Sequence, residues 1–518
     1  MITKISGMIR VGCLGEHPPL NSPHYARAQT RVGRVPLSTK IFQGIGALPD
    51  TYKNFAFNTF LLFYYNQVLG VRAVLASAAI MVALVIDAII DPIVGSYSDN
   101  LRSRLGRRHP LMYASAVPLG IFLFLVFSPP SGLSELELFA WLTTFAIAAR
   151  VSMAFYLLPW NALFAEFSDD YVERTAIVTF RYLVGWIGGV TFAFCTWSFI
   201  FPSTPEFAKG QLNPTAYHLF APVLGVLVAA SALITTHFTR KEIPYLLQPT
   251  GESTPFSLKG VLAEVLMALR NRDFMVLFVT LLTASAIGGT VEALNIYMQT
   301  YFWELRGEDL RWFALAIIGF MAAFAAMPLL QARFDKKRLV IAGLLFLVFN
   351  GIAMIALRFL HVLPHNGAPL LLPLLITNEI LRISIATVVG IMFVSMVADA
   401  LDAQELNTGR RQEGVFSAAL SFSVKATSGL GVLVGGVLLD YVVSFPRGAD
   451  PKAVDPHIVT LLGAIAGIAL PLLYLFPFSL ISRYKITREM HADIRRQLDE
   501  RHRAANGVDV PDTAQKTA

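Results

Sequence analysis

The chain has 518 residues, of which 55% are hydrophobic and 15% are charged, and its formal net charge is +7. Its mean hydropathy is +0.57. Soluble domains typically carry about 25% charged residues, so this composition excludes a water-soluble protein and indicates that lipid surrounds much of the chain. Only two cysteines, Cys13 and Cys195, are present, which excludes a disulfide framework and gives no cysteine-based zinc spacing.

Both ends of the chain are polar. Residues 1–38 mix charges, prolines and glycines without a sustained apolar core, so they are predicted to form a mobile cytoplasmic tail and not a signal peptide. Residues 484–518 are predicted to form a second cytoplasmic tail, with some helix near 485–503.

Apolar stretches fill the chain between the two tails. A helix needs roughly 20 apolar residues to cross the hydrocarbon core, and twelve stretches qualify, numbered I to XII in chain order. They are 41–69, 72–98, 110–128, 136–166, 175–201, 217–238, 273–303, 311–332, 338–360, 370–400, 412–446 and 457–482.

The basic residues predict the orientation of these spans. Lys and Arg are concentrated in alternate short loops, for example Arg102–Arg108 and Lys336–Arg338, which places those loops and both termini in the cytoplasm. The loop 239–272 separates an N-terminal six-helix half (39–238) from a C-terminal one (273–483). An all-α membrane protein with two six-helix halves is the layout of a transporter with a central site. It leaves no soluble domain large enough for an enzyme.

Span II contains two carboxylates, Asp87 and Asp91, four residues apart and therefore on one helix face. An acid at the membrane centre costs roughly 2.5–3.5 kcal/mol on insertion scales. Two such acids repel when both are ionised, so one should hold a proton or both should bind a cation. This chemistry is that of ion coupling, and a buried ion pair with a basic residue elsewhere is the structural alternative.

The turn after span II has an acid beside several arginines. Asp99, Arg104, Arg107 and Arg108 are candidates for a cytoplasmic gate, an ionic latch that breaks during transport. Simple positive-inside anchoring explains the same residues equally well.

These motifs resemble those of a known family. The run from Asp87 through Asp91-Pro, Gly95 and Asp99 to Gly106-Arg-Arg is similar to that of the glycoside-pentoside-hexuronide:cation symporters, the melibiose permease-like group of the major facilitator superfamily. The resemblance covers residues 38–485. Further matching segments are 38–47, Tyr64-Tyr65, 159–163, 170–175, 396–402, Gln412-Glu-Gly414 and Ser423-Val-Lys425.

The resemblance implies roles for individual residues. Asp87, Asp91 and Lys425 fall on the cation-coupling positions of the family, and Arg181 falls on a substrate-binding arginine. Lys425 also lies too deep in span XI for easy snorkelling, so it is expected to pair with Asp87 or Asp91.

Several positions depart from the family pattern. Thr51 and Leu157 replace two sugar-binding aspartates, and Asn161 replaces a stacking tryptophan. Ile90 and Ala154 replace neutral ligands of a sodium ion, which prefers several oxygen ligands by analogy with other hard cations. A proton is therefore the expected coupling ion, in preference to sodium, and no other cofactor or metal is expected.

The chain also has polar residues that the family pattern does not supply. Arg150 in span IV is the best candidate for binding an anionic group, with a structural pair to Glu292, Asp50 or Asp87 as the alternative. Thr51, Asn54, Asn161, Arg181 and Glu292 complete the candidate substrate site. Asp50 with Lys53, and Glu379 with Arg382, are expected to form internal salt bridges.

Together these features predict a proton-coupled symporter of a sugar, glycoside or uronate in the bacterial inner membrane. A lysolipid or other amphiphile is an alternative substrate, and a non-transporting receptor of the same fold is an alternative function. The expected partners are a small-molecule substrate and membrane lipid, with no nucleic acid, and the expected state is a monomer.

Overall fold

The computed structural model describes residues 25–249 apart from 28, 30 and 32, together with 272–408, 413–448 and 453–505. Within these residues the fold is almost entirely helical. Eleven helices are long and apolar enough to cross a membrane. The chain is therefore a multi-pass integral membrane protein, as predicted.

The N-terminal half comprises seven α-helices. They are α1 (Leu37–Ile45), α2 (Leu48–Ala56), α3 (Ala73–Asn100), α4 (His109–Val126), α5 (Glu135–Glu166), α6 (Tyr171–Cys195) and α7 (Pro214–Thr239). Short π-helical turns follow α2 (Phe57–Leu61 and Tyr64–Val68) and α6 (Thr196–Ile200), and 3-10 turns lie at Gly210–Leu212 and Arg240–Tyr245.

The C-terminal half begins with α8 and ends with a polar helix after the last crossing. Its helices are α8 (Arg272–Tyr297), α9 (Gly307–Leu310), α10 (Ile317–Arg333), α11 (Lys336–Phe359), α12 (Leu371–Thr408), α13 (Glu413–Val437), α14 (Pro456–Ala464), α15 (Leu470–Leu473), α16 (Leu475–Ile481) and α17 (Arg488–Ala505). The π turns Met298–Phe302, Leu438–Val442 and Ile465–Ala469 and the 3-10 turn Arg311–Ala316 extend these helices.

The stretch predicted as span I is interrupted instead of forming one long helix. Between α1 and α2, Gly46 lies so close to α5 that a Cβ atom there would be 2.0 Å from Nε1 of Trp160. Trp160 Nε1 donates to the carbonyl of Gln43 at 3.0 Å, and the Tyr156 hydroxyl donates to the carbonyl of Gly46 at 3.0 Å. These bonds use backbone oxygens that the helix break leaves free.

We call the end of the bundle that carries the arginine-rich turn 101–108 the basic end. The two halves meet at the opposite end. At the opposite end, the hydroxyls of Tyr297 and Tyr301 donate to Asn66 and Gln67, each at 2.8 Å. Asp440 accepts from the backbone N–H of Val74 at 2.7 Å, at the N-terminus of α3. The bundle is therefore closed at the end opposite the basic one.

Part of the predicted mobile N-terminal tail is ordered, which corrects that expectation. Strand β1 (Tyr25–Arg27) pairs antiparallel with β2 (Leu247–Pro249). Arg27 forms an ion pair with Asp169 at 2.5 Å, and Arg31 contacts Glu242. The prediction failed because the partners of these arginines are distant in the sequence and lie on loops at the basic end.

The C-terminal segment contains the expected helix. In α17, Leu498 is buried, and His491 Nε2 lies 3.0 Å from Asp402 at the end of α12. Helix α12 continues to Thr408 and not to about residue 400 as predicted, and this extension gives α17 its docking surface. Residues 250–271, most of the predicted central loop, lie outside the described residues.

The close approach at Gly46 predicts a stability effect. Gly46→Ala should lower the midpoint of thermal unfolding in detergent, because the added methyl group overlaps the indole of Trp160. Gly390→Ala is the matched control, since a Cβ there meets nothing within 4 Å. Equal midpoints for the two variants would contradict the described contact.

Candidate functional site

Asp87 and Asp91 lie on α3 and face α13 of the other half, against which α3 packs. The helices approach closely because Gly436 of α13 has no side chain, and a Cβ there would be 2.0 Å from Oγ of Ser77. Lys425 Nζ is 2.9 Å from Oδ2 of Asp87 and donates a hydrogen bond to Asp91. The structure thus brings together the three residues predicted for ion coupling.

Arg150 on α5 is adjacent to this cluster. Its Nη1 is 3.6 Å from Asp87 Oδ2, its guanidinium lies 5.4 Å from the centre of the Phe57 ring, and the residue is 8% exposed. It does not line the cavity described below. This placement favours the alternative of a structural pair with Asp87, because the buried guanidinium lies beside a carboxylate, and substrate binding by Arg150 stays a prediction.

A cavity of about 600 Å³ lies between α2, α5 and α6 of one half and the segment 310–320 of the other. Thr51, Asn161 and Arg181, three predicted substrate residues, line it. The Arg181 guanidinium donates to Oδ1 of Asn161 and stacks 3.9 Å from the centre of the Trp160 ring. Its remaining donors can bind an acceptor in the cavity, as Arg commonly does with carboxylates.

The cavity wall is rich in aromatic side chains and contains one acid. Asp50 lines it and is held by Lys53 at 2.9 Å, which confirms the expected salt bridge. The aromatic residues of the wall are Phe55, Trp160, Tyr182, Trp186, Trp197, Phe313 and Phe320. Flat apolar surfaces with a few polar groups are typical of small-molecule sites.

A smaller space of about 110 Å³ shares Phe55, Trp197 and Phe313 with the main cavity. Glu292 lines it, as do Asn58, Asn295 and Gln299. Glu292 is therefore near the main cavity, and its role in substrate binding stays a prediction. Asn54, also predicted, is exposed and lines neither space.

The residues predicted as a cytoplasmic gate form a network within one half. Arg108 pairs with Asp99 at 2.6 Å, and Arg107 lies 3.7 Å from the same carboxylate. Glu166 at the end of α5 binds both arginines, at 2.8 and 3.1 Å, whereas Arg104 is exposed. These ion pairs tie the ends of α3 and α5 to the residues that begin α4.

Sequence reasoning missed two sets of residues. Glu166 is one, although an acid at the cytoplasmic end of a span beside an arginine-rich turn could have suggested it. The contacts of Asn66 and Gln67 with Tyr297 and Tyr301 are the other. The spacing of the two tyrosines places them on one helix face, but their partners could not be read from the chain.

Two helical halves enclosing a cavity, with a charged cluster joining them in the membrane interior, define a secondary transporter of the major facilitator type. The fold is similar to the solved structure of the nucleoside transporter NupG, with a TM-score of 0.57 and 13% identity, covering 87% of this chain and 99% of that one. It is also similar to a D-xylose-proton symporter, with a TM-score of 0.51 and 14% identity, covering 84% and 96%.

The chain belongs to the family described as MFS/sugar transport protein, whose model matches residues 42–488. A putative glycoside/cation symporter, YagG of Escherichia coli, is 24% identical over 93% of this chain and 98% of its own. The isoprimeverose transporter of Lactiplantibacillus pentosus is 22% identical, covering 89% and 92%. The glucuronide carrier protein homolog of Escherichia coli is 24% identical, covering 88% and 94%. The resemblance inferred from the motifs is confirmed, and the family is one of transporters, not enzymes.

The position of Lys209 predicts that closure of the end opposite the basic one depends on pH. It lies in the loop between α6 and α7 and donates to the carbonyl of Thr300 in the other half, and burial lowers its pKa to about 8. Because the pKa is lower in the closed state than for a solvated lysine, closure is increasingly favoured as the pH rises from about 8 toward the ordinary lysine value of 10.5. Spin labels at Glu206→Cys and His457→Cys, one on each half, should report more of the short-distance population at higher pH.

Lys209→Met is the control for this pH response, because it keeps an apolar chain without a titrating group. Its label distances should no longer change with pH in this range. An unchanged response in Lys209→Met would assign the titration to another group.

Proposed function

We propose that this protein is a symporter that couples proton entry to the movement of a sugar, glycoside or uronate by alternating access. The observation that carries the proposal is the binding of Lys425, on one half, to Asp87 and Asp91 on the other. A contact of this kind links the charge state of the acids to the relative position of the halves.

The proposal includes a twelfth crossing. The segment from Leu37 to Val68, made of α1, α2 and two π turns, crosses the membrane as a broken helix beside the cavity. Together with the eleven long helices this gives two halves of six spans and places both termini in the cytoplasm. The excess of Lys and Arg at the basic end supports that orientation. The described state, closed at the opposite end, is then inward-facing.

Proton coupling follows from charge balance in the cluster. With both acids ionised, Lys425 is bound and the two halves are held together at mid-bundle. Protonation of Asp91 removes one of the two attractions on Lys425, because a neutral carboxyl no longer provides a counter-charge. Lys425 is then held by Asp87 alone, which lowers the cost of moving its half, and a bound solute favours the occluded arrangement in which this happens.

The cavity supports a solute with hydroxyl or carboxylate groups. Arg181 and Asn161 offer donors, Asp50 and Glu292 offer acceptors for hydroxyls, and Trp160 offers a flat apolar face. The names of the relatives, which include a glycoside/cation symporter and an isoprimeverose transporter, agree with a carbohydrate. The many aromatic side chains also favour a second candidate, an amphiphile such as a lysolipid. We propose that the protein works as a monomer, since the cavity lies within one chain.

The coupling role of Asp91 is tested by charge movement in proteoliposomes. Purified protein is exposed to sugars, glycosides, uronates and lysolipids, with and without sodium. A current with one solute class that does not need sodium is expected, and Asp91→Asn should abolish it, because an amide cannot accept the proton. Glu379→Gln is the control, since this acid pairs with Arg382 at 2.5 Å elsewhere in the membrane.

Other outcomes would change this assignment. A current that requires sodium would refute proton coupling. In another outcome, a solute binds and yet is transported neither with a current nor by electroneutral exchange. That outcome would favour a receptor of the same fold.

The proposed contact of Arg181 with the solute predicts an effect on binding affinity. Arg181→Gln should weaken solute binding by about 10-fold to 100-fold, because a charge-assisted hydrogen bond contributes about 1.5–3 kcal/mol. Isothermal titration with the transported solute measures this loss. An unchanged affinity would place Arg181 outside the solute contacts, and its bond to Asn161 would then be structural.

A further inference from the structure

The acids of α3 are neutralised by two basic side chains of the protein itself. Asp87 Oδ2 lies 2.9 Å from Lys425 Nζ and 3.6 Å from Arg150 Nη1, and Asp91 Oδ2 contacts Lys425. Two negative and two positive charges make the cluster formally neutral. A proton and a sodium ion would each add one positive charge, so a preference between them has to come from the ligands that each ion requires.

The two basic residues differ in their mobility between states. Arg150 and Asp87 belong to the same half, on the packed helices α5 and α3, so their contact can persist when the halves move. Lys425 comes from the other half, and its side chain is 31% exposed compared with 10% for Arg150. Arg150 is thus a permanent counter-charge, whereas Lys425 is an exchangeable one.

We propose that Arg150 is a tethered cation that takes the place of a metal ion beside Asp87 and Asp91, and that it thereby prevents sodium from binding there. Arginine keeps its charge in proteins, and its guanidinium lies 3.6 Å from Asp87 Oδ2, so a fixed positive charge already stands beside the carboxylate that a metal ion would need. A hard cation also requires several oxygen ligands, whereas a proton needs a single carboxylate oxygen. Arg150 therefore opposes sodium binding, and Ile90 and Ala154 add to this effect because they do not supply neutral ligands.

This inference rests on the proposed cation coupling, but it is tested without any transported solute. The wild type, Arg150→Gln and Arg150→Lys are purified in one detergent. Their thermal unfolding midpoints are compared in equal concentrations of sodium chloride and choline chloride. Arg382→Gln is the matched control, because it removes an intramembrane arginine paired with Glu379 and not with the cluster.

Sodium should raise the unfolding midpoint of Arg150→Gln by roughly 3 °C relative to choline, because a ligand stabilises the state that binds it. The substitution removes the positive charge beside Asp87, and the amide offers sodium an oxygen ligand. The wild type, Arg150→Lys and Arg382→Gln should give the same midpoint in both salts. Adding Asp91→Asn to Arg150→Gln should remove the sodium effect, which a merely structural role of Arg150 would not predict.

Other results would overturn the inference. A sodium-specific rise in the wild type that Asp91→Asn abolishes would show that Arg150 does not exclude the ion. If Arg150→Gln folds and its unfolding midpoint does not respond to sodium, then Arg150 is not the group that excludes the ion. If Arg150→Gln folds poorly, sodium but not choline should restore its folded yield, and failure in both salts would assign Arg150 a purely structural role. A positive sodium response would stand even if no solute current were found.

Discussion

The ion pairs of Lys425 with Asp87 and Asp91 are the interaction on which the rest of the structure depends. Charges in an apolar interior must be paired, so the faces of α3 and α13 that carry them have to meet. Gly436 permits that approach at the end opposite the basic one. Because the partners belong to different halves, the proposed alternating access requires that the contact which stabilises this state be released when the halves move. In that proposal the same atoms serve stability and coupling.

At the basic end, by contrast, the described ion pairs join helices of the same half. Asp99, Arg107, Arg108 and Glu166 lie within the N-terminal half. In the C-terminal half, Lys336 pairs with Asp399 at 2.7 Å, and α17 adds His491 to the same carboxylate cluster. Each of these ion pairs fastens helices of one half to each other. Such pairs suit the proposed mechanism, in which one half moves against the other as a unit.

The broken first helix connects these features to the cavity. Its interruption at Gly46 brings Trp160 against the backbone and places Thr51 and Asp50 at the cavity wall. At the closed end, Asn66 and Gln67 from the same segment meet Tyr297 and Tyr301. One stretch of chain thus contributes to the cavity and to the contact that closes it, so a solute in the cavity can influence closure through this segment.

The sequence by itself determined which residues carry charge into the membrane, where the apolar helices lie and to which family the chain belongs. Helix spans follow from local hydropathy, and the Asp87–Asp91 pair follows from helical spacing, so neither depends on distant contacts. The sequence also indicated the pairs Asp50–Lys53 and Glu379–Arg382 and the pairing of Lys425 with the acids of α3. Only the tertiary structure decided the other partners. It assigned Arg150 to Asp87 instead of the cavity, added Glu166 to Arg107 and Arg108, and joined Arg27, Arg31 and Val35 to Asp169, Glu242 and Glu173 at the basic end. The physical reason is that an ion pair depends on distance in space, and these partners are separated in the chain by tens to hundreds of residues.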